Sequence, residues 1–300
     1  MAITTSPDNI PSPTSGDPYN YVVDMAAMAD RIQDIFTLRG LAPGPNLLIN
    51  SDFMVNQQQW VSGDQVPNGA YFLDMWKNTS GSQTSFFTWA DSGGARTVTV
   101  GASGFPRTLR QVVPVENFEA GLYTLSRGGD VMFRLYREGA TPTAWETEPT
   151  TYPLSGDGSI FVEVYGTGQT VGWVKLEQGS AATPYQPPRY DDNLRACRYY
   201  YQRFGGMSPS QRYGIGKALS ATSLRVQIPL ISAMRRIAPT VTYGSLAVHG
   251  AGGVTAVGLD SPGENVITLI VDSSGTTTNE IYELRSDNSL SAWLAFDARL

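Results

Sequence analysis

The sequence predicts a mainly β protein: an antiparallel β-sandwich and a second, C-terminal β unit, with one short helix before the sandwich and one between the two units. Two strand-like runs, residues 46–53 (NLLINSDF) and 173–179 (WVKLEQG), bracket a stretch in which apolar and polar residues alternate. Between them lie six candidate strands separated by Gly-rich turns, at 85–90, 96–100, 108–113, 121–126, 131–136 and 159–164.

Composition narrows the functional class. Charged residues make up 16% of the 300 residues and the formal net charge is −6, which argues against nucleic acids and anionic membranes as partners. No apolar run approaches the ~18 residues of a membrane span. The N-terminus also lacks a basic region followed by an apolar core. We therefore expect a protein made in the cytosol, with any release from the cell proceeding without a signal peptide.

The single cysteine, Cys197, excludes an internal disulfide and a cysteine-ligated zinc site. It lies in a helix-like run over 191–204, where Leu194, Cys197, Tyr201 and Phe204 fall on one face. A buried, unreactive thiol is the expectation.

Residues 1–45 are expected to form an N-terminal anchor. Residues 1–20 are rich in Pro, Ser, Thr, Asp and Asn and cannot build a core. A heptad stripe follows at Val22, Met25, Ala29, Ile32 and Phe36. A helix of about 16 residues is marginal alone in water, so this stripe must pack against other copies of itself or against the neighbouring domain. Self-association is the favoured interpretation.

The rest of the chain is expected to divide near residues 186–188 (QPP). The sandwich would occupy 46–188, and a linking helix with a C-terminal β tip would occupy 189–300. Strands are expected within this tip at 225–230, 234–242 and 293–300.

Residues that could carry catalysis are sparse. The sequence has a single histidine, His249, and no Gly-x-Ser-x-Gly elbow that would supply the serine of a catalytic triad. The Gly-rich turns lack the lysine and the strand–loop–helix setting of a phosphate loop. Carboxylate pairs could support glycoside hydrolysis, but spacing does not show that any pair converges; the pairs are Glu116 with Glu119, Glu146 with Glu148, and Asp191 with Asp192. No enzymatic activity is expected.

Aromatic side chains beside loops carry the remaining functional signal. Trp and Tyr rings offer flat apolar faces that suit the C–H face of a sugar. Four of them flank loops rich in polar residues and are candidates for carbohydrate binding: Trp60, Trp89, Trp145 and Tyr152. Packing at the rim of the fold or against another subunit is an equally good explanation for Trp60, Trp145 and Tyr152.

Four segments of the sandwich region match a known pattern. They are 46–53 with an "NLLxNxDF" opening, 71–76 (YFLDMW) with a "Y-x-x-D-x-W" strand, 109–111 with an "L-R-Q" strand, and 173–185 (WVKLEQGSAATPY) with a "W-x-KLE-x-G-x-x-ATPY" finish. Over most of 46–188 the chain thus resembles the jelly-roll, carbohydrate-binding-module-like domains of bacteriophage tail fibres and minor tail proteins. Ser51 replaces the glycine usual in the opening of those domains.

Two further segments are similar to phage tail proteins. Residues 194–203 (LRACRYYYQR) resemble "L-x-x-C-x-R-Y-Y-x-R", with a tyrosine at 199 in place of its first arginine, and 225–242 resemble the "F-P-x-x-M-R-x-x-P-T-V-T" stretch of tail-fibre tips. The resemblance makes Trp76 and Trp173 core residues. It also allows a structural calcium, with Asp52 and Glu177 as possible ligands.

The resemblance implies a structural virion protein of a phage tail, assembled in the host cytoplasm as a homotrimer. Its jelly roll would bind host cell-surface glycans during adsorption, without a cofactor, and its N-terminal segment would bind other tail proteins. Two other classes stay open. One is a non-adhesive assembly protein such as a head fibre or tail-tip scaffold, and the other is a polysaccharide-cleaving enzyme.

Overall fold

The computed structural model describes residues 4–5, 11–12, 44–81, 85–101, 104–206, 211–235, 238–287 and 292–299. The fold is mainly β, and its sheets are antiparallel. The heptad stripe predicted between residues 22 and 36 lies outside the described residues. A short ribbon pairs β1 (Thr4–Thr5) with β2 (Pro11–Ser12).

The first β unit packs two antiparallel sheets face to face. Its strands are β3 (Gln65–Val66), β4 (Tyr71–Phe72), β5 (Trp76–Asn78), β6 (Ser85–Ser92), β7 (Ala95–Val100), β8 (Arg107–Val113), β9 (Gly121–Gly129), β10 (Met132–Arg137), β11 (Thr150–Leu154), β12 (Ile160–Gly166) and β13 (Gln169–Gln178). One sheet has the order β10-β12-β8-β5-β4 and the other the order β11-β9-β13-β7-β6-β3. A 3-10 turn at Val115–Asn117 follows β8.

Side-chain alternation explains this sandwich. Along β8, every second residue from Arg107 to Val113 is buried, and the residues between them are partly exposed. The inner faces of both sheets supply one apolar core, with Phe72, Trp76 and Phe87 fully buried. All six strands predicted between the bracketing runs are present, with bounds shifted by a few residues.

The opening segment differs from its prediction as a strand. Residues 46–49 run beside β13, but they form no regular strand. The Asn46 side chain replaces part of the backbone hydrogen bonding that a regular strand would make with β13. Its Nδ2 donates to the Val174 carbonyl at 3.0 Å, and its Oδ1 accepts from the Leu176 amide at 3.0 Å. On the other side, the Gln111 side chain accepts from the Ile49 amide at 2.8 Å and donates to the Ile49 carbonyl at 2.7 Å.

Asn50 ends this segment and is fully buried. Its φ of 52° is a left-handed conformation, which asparagine tolerates better than most residues. Its side chain accepts from the Val55 amide at 2.8 Å and donates to the carbonyls of Val55 and Leu73 at 2.9 and 2.5 Å. The Trp76 indole donates to the Asn50 carbonyl at 2.9 Å. One side chain thus holds a chain reversal that regular strand pairing cannot.

Residues 71–76 form a tight hairpin rather than the single strand expected. Leu73 and Asp74 have φ values of 46° and 61°, which break the strand into β4 and β5. The Asp74 carboxylate accepts from the amide and the side chain of Gln57 at 2.8 and 2.7 Å. Burial nevertheless raises the pKa of Asp74, because it disfavours the charged carboxylate.

Helix α1 (Tyr190–Tyr200) links the two β units and is shorter than predicted. Tyr201 and Phe204 lie instead on the following strand, where pairing with the last strand of the chain replaces the final helical turn. Cys197 is fully buried against Val55 and Met75, so the thiol is part of the contact between helix and sandwich. Burial raises its pKa well above the ordinary value.

The second β unit has a three-stranded and a six-stranded sheet. Its strands are β14 (Tyr201–Gly205), β15 (Arg212–Ala218), β16 (Ser223–Pro229), β17 (Thr240–Gly244), β18 (Leu246–Val248), β19 (Val254–Ser261), β20 (Val266–Ser273), β21 (Ile281–Ser286) and β22 (Trp293–Asp297). Their orders are β14-β22-β17 and β18-β21-β15-β16-β20-β19. A separate core lies between them and includes Leu224, Leu269 and Phe296. Of the three strands expected in this tip, 225–230 falls in β16, whereas the described residues of 234–242 and 293–300 are strand only within β17 and β22.

The side chains of Lys175 and Glu177 lie on the face of β13 opposite the core residues Val174 and Leu176, and they pair at 2.9 Å, each almost fully buried. The Thr183 amide donates to Glu177 Oε1 at 2.8 Å, which ties the segment after β13 back onto that strand. Burial alone would raise the pKa of Glu177, but hydrogen bonds from Thr183 and Lys175 outweigh it and lower the pKa.

No helix of the described residues is long and apolar enough to cross a membrane.

We expect Glu177→Gln to lower the free energy of unfolding by about 3 kcal/mol at neutral pH, because Lys175 then stays buried without its partner. A lowered pKa in the folded state means that ionised Glu177 stabilises the fold above its ordinary pKa of 4.5, and that this contribution disappears as the pH falls through the folded value. The difference between variant and parent should therefore shrink below pH 4.5 in urea titrations.

Glu138→Gln, a change at an exposed position, serves as the control. It should leave the free energy of unfolding unchanged both at neutral pH and below pH 4.5. An undiminished loss for Glu177→Gln in acid would contradict an ionic role for Glu177.

Candidate functional site

The four aromatic residues predicted to bind carbohydrate lie in separate parts of the fold. Trp145 lies on the outer face of the five-stranded sheet, and Trp60 lies at the junction of the two β units. Trp89 packs on Phe72, with ring centroids 5.6 Å apart, and is covered by Arg96. All three tryptophan side chains are partly exposed, and an arginine lies over the ring of Trp145 as it does over that of Trp89.

Tyr152 is 8% exposed and belongs to the sandwich core. Burial raises its pKa to about 12. It also lines a cavity of about 410 Å³ at the side of the sandwich. Of the two tryptophans expected in the core, Trp76 is fully buried, whereas Trp173 is only partly buried and stacks on Tyr185 with ring centroids 4.6 Å apart.

The register of the five-stranded sheet aligns one residue from each strand in a lateral line, which we call the cross-sheet row. Its members, in spatial order, are Tyr71 (β4), Lys77 (β5), Arg110 (β8), Glu163 (β12) and Arg134 (β10). Neighbouring strands lie about 4.8 Å apart, so the row spans roughly 19 Å. All five side chains project from the face opposite the core.

Glu163 lies between Arg110 and Arg134 in the row, with a side chain only 2% exposed. Arg110 contacts its Oε1 through Nη2 at 2.6 Å and Nε at 2.8 Å. Arg134 contacts its Oε2 through Nη2 at 2.7 Å and Nε at 2.8 Å. Each carboxylate oxygen thus faces one planar guanidinium, an arrangement that fixes both arginines in position.

Tyr136 supports this arrangement from the same face. Its hydroxyl accepts from Arg110 Nη2 at 2.9 Å and donates to Glu163 Oε1 at 3.1 Å. Burial and the adjacent Glu163 carboxylate raise the pKa of Tyr136, so the phenol keeps the proton that it donates. The two guanidinium groups are therefore held by hydrogen bonds as well as by charge.

Aromatic rings flank the charges. The Arg134 guanidinium lies 4.0 Å from the Trp145 ring centroid, and Trp145 packs on Tyr165 with centroids 5.0 Å apart. The Arg110 guanidinium lies 4.5 Å from the ring of Phe161. At the other end of the row, the Lys77 ammonium lies 5.5 Å from the ring of Tyr71. The face therefore offers fixed cations between flat apolar surfaces.

The row is positive on an acidic protein. Three cations and one carboxylate leave a net charge of +2, whereas the whole chain carries −6. At physiological ionic strength, charges beyond about 8 Å are largely screened, so a ligand at the row responds mainly to the local charge. Carboxylate and phosphate groups are the chemical partners that paired guanidiniums recognise best.

Among the residues of the row and those flanking it, only Trp145 was a binding candidate from the sequence. The alternation of side chains along each strand predicts the polar face as the position of Lys77, Arg110, Arg134 and Glu163. The register between strands that are distant in the sequence aligns these four residues, and it cannot be predicted from one sequence.

The acidic residues considered as calcium ligands have protein partners. Both oxygens of Glu177 are engaged by Lys175 and Thr183. Asp52 Oδ1 accepts from the Asn193 side chain at 2.8 Å, and burial raises the pKa of Asp52. Among the residues that the structure describes, no group of three or more potential ligands converges on a metal position.

Comparison with known proteins gives no matching family model and no similar curated protein.

We expect Glu163→Gln to destabilise the protein by about 3 kcal/mol, because Arg110 and Arg134 lose the charge that neutralises them. Added salt should reduce this loss by screening the two guanidiniums. Chemical denaturation of the full chain at low and high salt measures both effects.

The matched control is Glu283→Gln, which removes a pair whose arginine, Arg212, is 77% exposed. A solvent-exposed pair contributes less than about 1 kcal/mol. Equal losses in the two variants would contradict the structural role of Glu163.

Proposed function

We propose that this protein is a structural component of a bacteriophage tail that binds acidic glycans of the host cell surface through the cross-sheet row. The tail assignment is supported by the sequence resemblance described above. The binding assignment is supported by the row itself. Homotrimer formation through the N-terminal stripe, and attachment of that segment to other tail proteins, belong to the same proposal and derive from the resemblance.

The observation that carries the binding proposal is the fixed pair of guanidiniums beside an aromatic platform. Arg110 and Arg134 are held on Glu163 before any ligand arrives, so binding costs little side-chain entropy. Trp145 adds a flat apolar surface beside Arg134. A uronic acid or a phosphorylated sugar presents both a negative group and an apolar ring face, and it matches the two elements together.

Binding without bond cleavage is the mechanism that we propose. A hydrolytic pair needs one carboxyl group that can give up a proton and another that attacks or activates water. Glu163, the one acidic residue of the row, binds two arginines and a phenol instead. A polymer with many acidic residues would engage several copies in an oligomer, which raises avidity without new contacts.

One observation favours a second candidate, a non-adhesive assembly protein. The outer face of the six-stranded sheet carries Ile215, Ile281 and Val266 with 60%, 75% and 42% exposure. Apolar residues grouped on one open sheet face suit contact with another protein. This candidate predicts affinity for a virion protein and none for bacterial envelopes.

Alginate, a uronic acid polymer, and dextran, a neutral one, test the proposal as probes for the full chain. We expect binding to alginate that weakens as salt rises, and no binding to dextran. Trp145→Ala should weaken binding by roughly fivefold, since one aromatic contact contributes about 1 kcal/mol. Lys77→Gln should weaken it as well and reduce its salt dependence. Retention on immobilised polymer and on a panel of bacterial envelopes measures these effects.

Phe105→Ala is the matched control, because Phe105 is a 59% exposed aromatic residue outside the row. It should leave binding unchanged. Equal retention on alginate and dextran, or identical behaviour of the Trp145 and Phe105 variants, would overturn the proposal. Retention by another virion protein alone would favour the assembly role.

A further inference from the structure

A second aromatic cleft lies where the two β units meet. It has a volume of about 440 Å³, and the sandwich and the three-stranded sheet both contribute to its walls. Its aromatic residues are Trp60, Tyr71, Tyr201 and Trp293. The cleft lies outside the part of the row formed by the two guanidiniums and Glu163, and only Tyr71 belongs to both.

Strand register builds the floor of the cleft. Trp293 on β22 lies between Gly205 on β14 and Gly244 on β17. A Cβ atom on Gly244 would come within 2.9 Å of Trp293 Nε1, so glycine is needed there for the indole to lie against the sheet. Trp293 remains partly exposed and offers a ring surface to the cleft.

Arg203 lies beside this ring. Its guanidinium carbon lies 5.1 Å from the Trp293 ring centroid, and one of its Nη atoms donates to the Gln58 carbonyl. Arg203 Nε is buried and has no hydrogen-bond partner among the described residues. Within the described part of the chain, no carboxylate lies within the 4.0 Å of an ion pair with Arg203. This cation is thus partly desolvated without a matching anion, which is costly unless a ligand supplies one.

The opposite wall is rigid and electrically neutral. Arg299 lies between Tyr71 and Tyr201, 3.7 and 4.1 Å from their ring centroids. It also pairs with Asp297 at 2.6 Å and donates to the Asp74 carbonyl. Because the charges of Arg299 and Asp297 cancel, Arg203 is the cation of the cleft whose charge no described carboxylate balances.

We propose that this cleft is a second binding site, separate from Arg110 and Arg134 of the row. It would take a single sugar residue that bears a carboxylate or a phosphate. Trp293 would stack on the apolar face of the sugar ring, and Arg203 would bind the negative group. Gln58 and Thr242, which also line the cleft, would contact hydroxyl groups.

Glucuronate, glucose 6-phosphate and glucose are the probes that test this site. The chain has 6 tryptophans, whose indole N–H signals can be followed by nuclear magnetic resonance and assigned with single Trp→Phe variants. We expect saturable shifts of the Trp293 signal with glucuronate, with glucose 6-phosphate, or with both, and none with glucose. The anion that binds more tightly identifies the negative group of the ligand.

Arg203→Gln should weaken binding of the anionic probe at least tenfold. Arg203→Lys should retain part of the affinity for the probe, because it keeps the positive charge. Arg195→Gln, on the exposed side of helix α1 where the arginine side chain is 74% exposed, is the control and should change nothing. Unchanged chemical shifts away from the cleft show that the Arg203 variants are folded.

Three results would overturn the inference: no saturable shift at Trp293, an equal shift with glucose, or full affinity in Arg203→Gln. A shift of the Trp145 signal alone would overturn it and leave the proposed role of the row intact. A shift of the Trp293 signal alone would support the cleft and count against the row.

Discussion

The hydrogen bonds of Asn50 are the constraint on which the rest of the structure depends. Its side chain holds the reversal that ends the opening segment, and its carbonyl fixes the buried Trp76. Its own amide donates to Asn193 of helix α1 at 2.8 Å. The closure of the sandwich and the docking of the helix therefore share one fully buried residue. Leaving such buried groups unpaired costs about 1–3 kcal/mol each, so this arrangement specifies one docking geometry.

That docking forms the cleft at the junction of the two β units. Helix α1 leads directly into β14, which pairs with β22, so its seat on the sandwich sets where Arg203 and Trp293 face Trp60. Contacts across the junction add to it: Gln57 Nε2 donates to the Tyr201 carbonyl at 2.9 Å, and Arg235 pairs with Glu116 at 2.8 Å. The cleft is thus a consequence of two β units held at one orientation. The row, in contrast, depends on the register of a single sheet.

Much of the fold could be predicted from the sequence, because alternation of apolar and polar residues reports strands directly. The failures share a physical cause. Residues 46–49, the hairpin at Leu73 and Asp74, and the short helix before Tyr201 are all places where side-chain hydrogen bonds or long-range pairing override the local pattern. The same limit applies to the sites. Trp145 and Trp60 were candidates because they flank loops rich in polar residues, whereas the roles proposed for Arg110, Arg134, Glu163 and Arg203 depend on the alignment of distant strands.

Recognition of an acidic glycan by the cross-sheet row is the central proposal for this protein. Its most direct test is a crystal structure of the protein with a short uronic acid oligosaccharide. We expect a carboxylate of the sugar against Arg110 and Arg134, and a sugar ring on Trp145. An oligosaccharide bound only elsewhere, for example in the cavity beside Tyr152, with the row left in contact with solvent alone, would contradict the account.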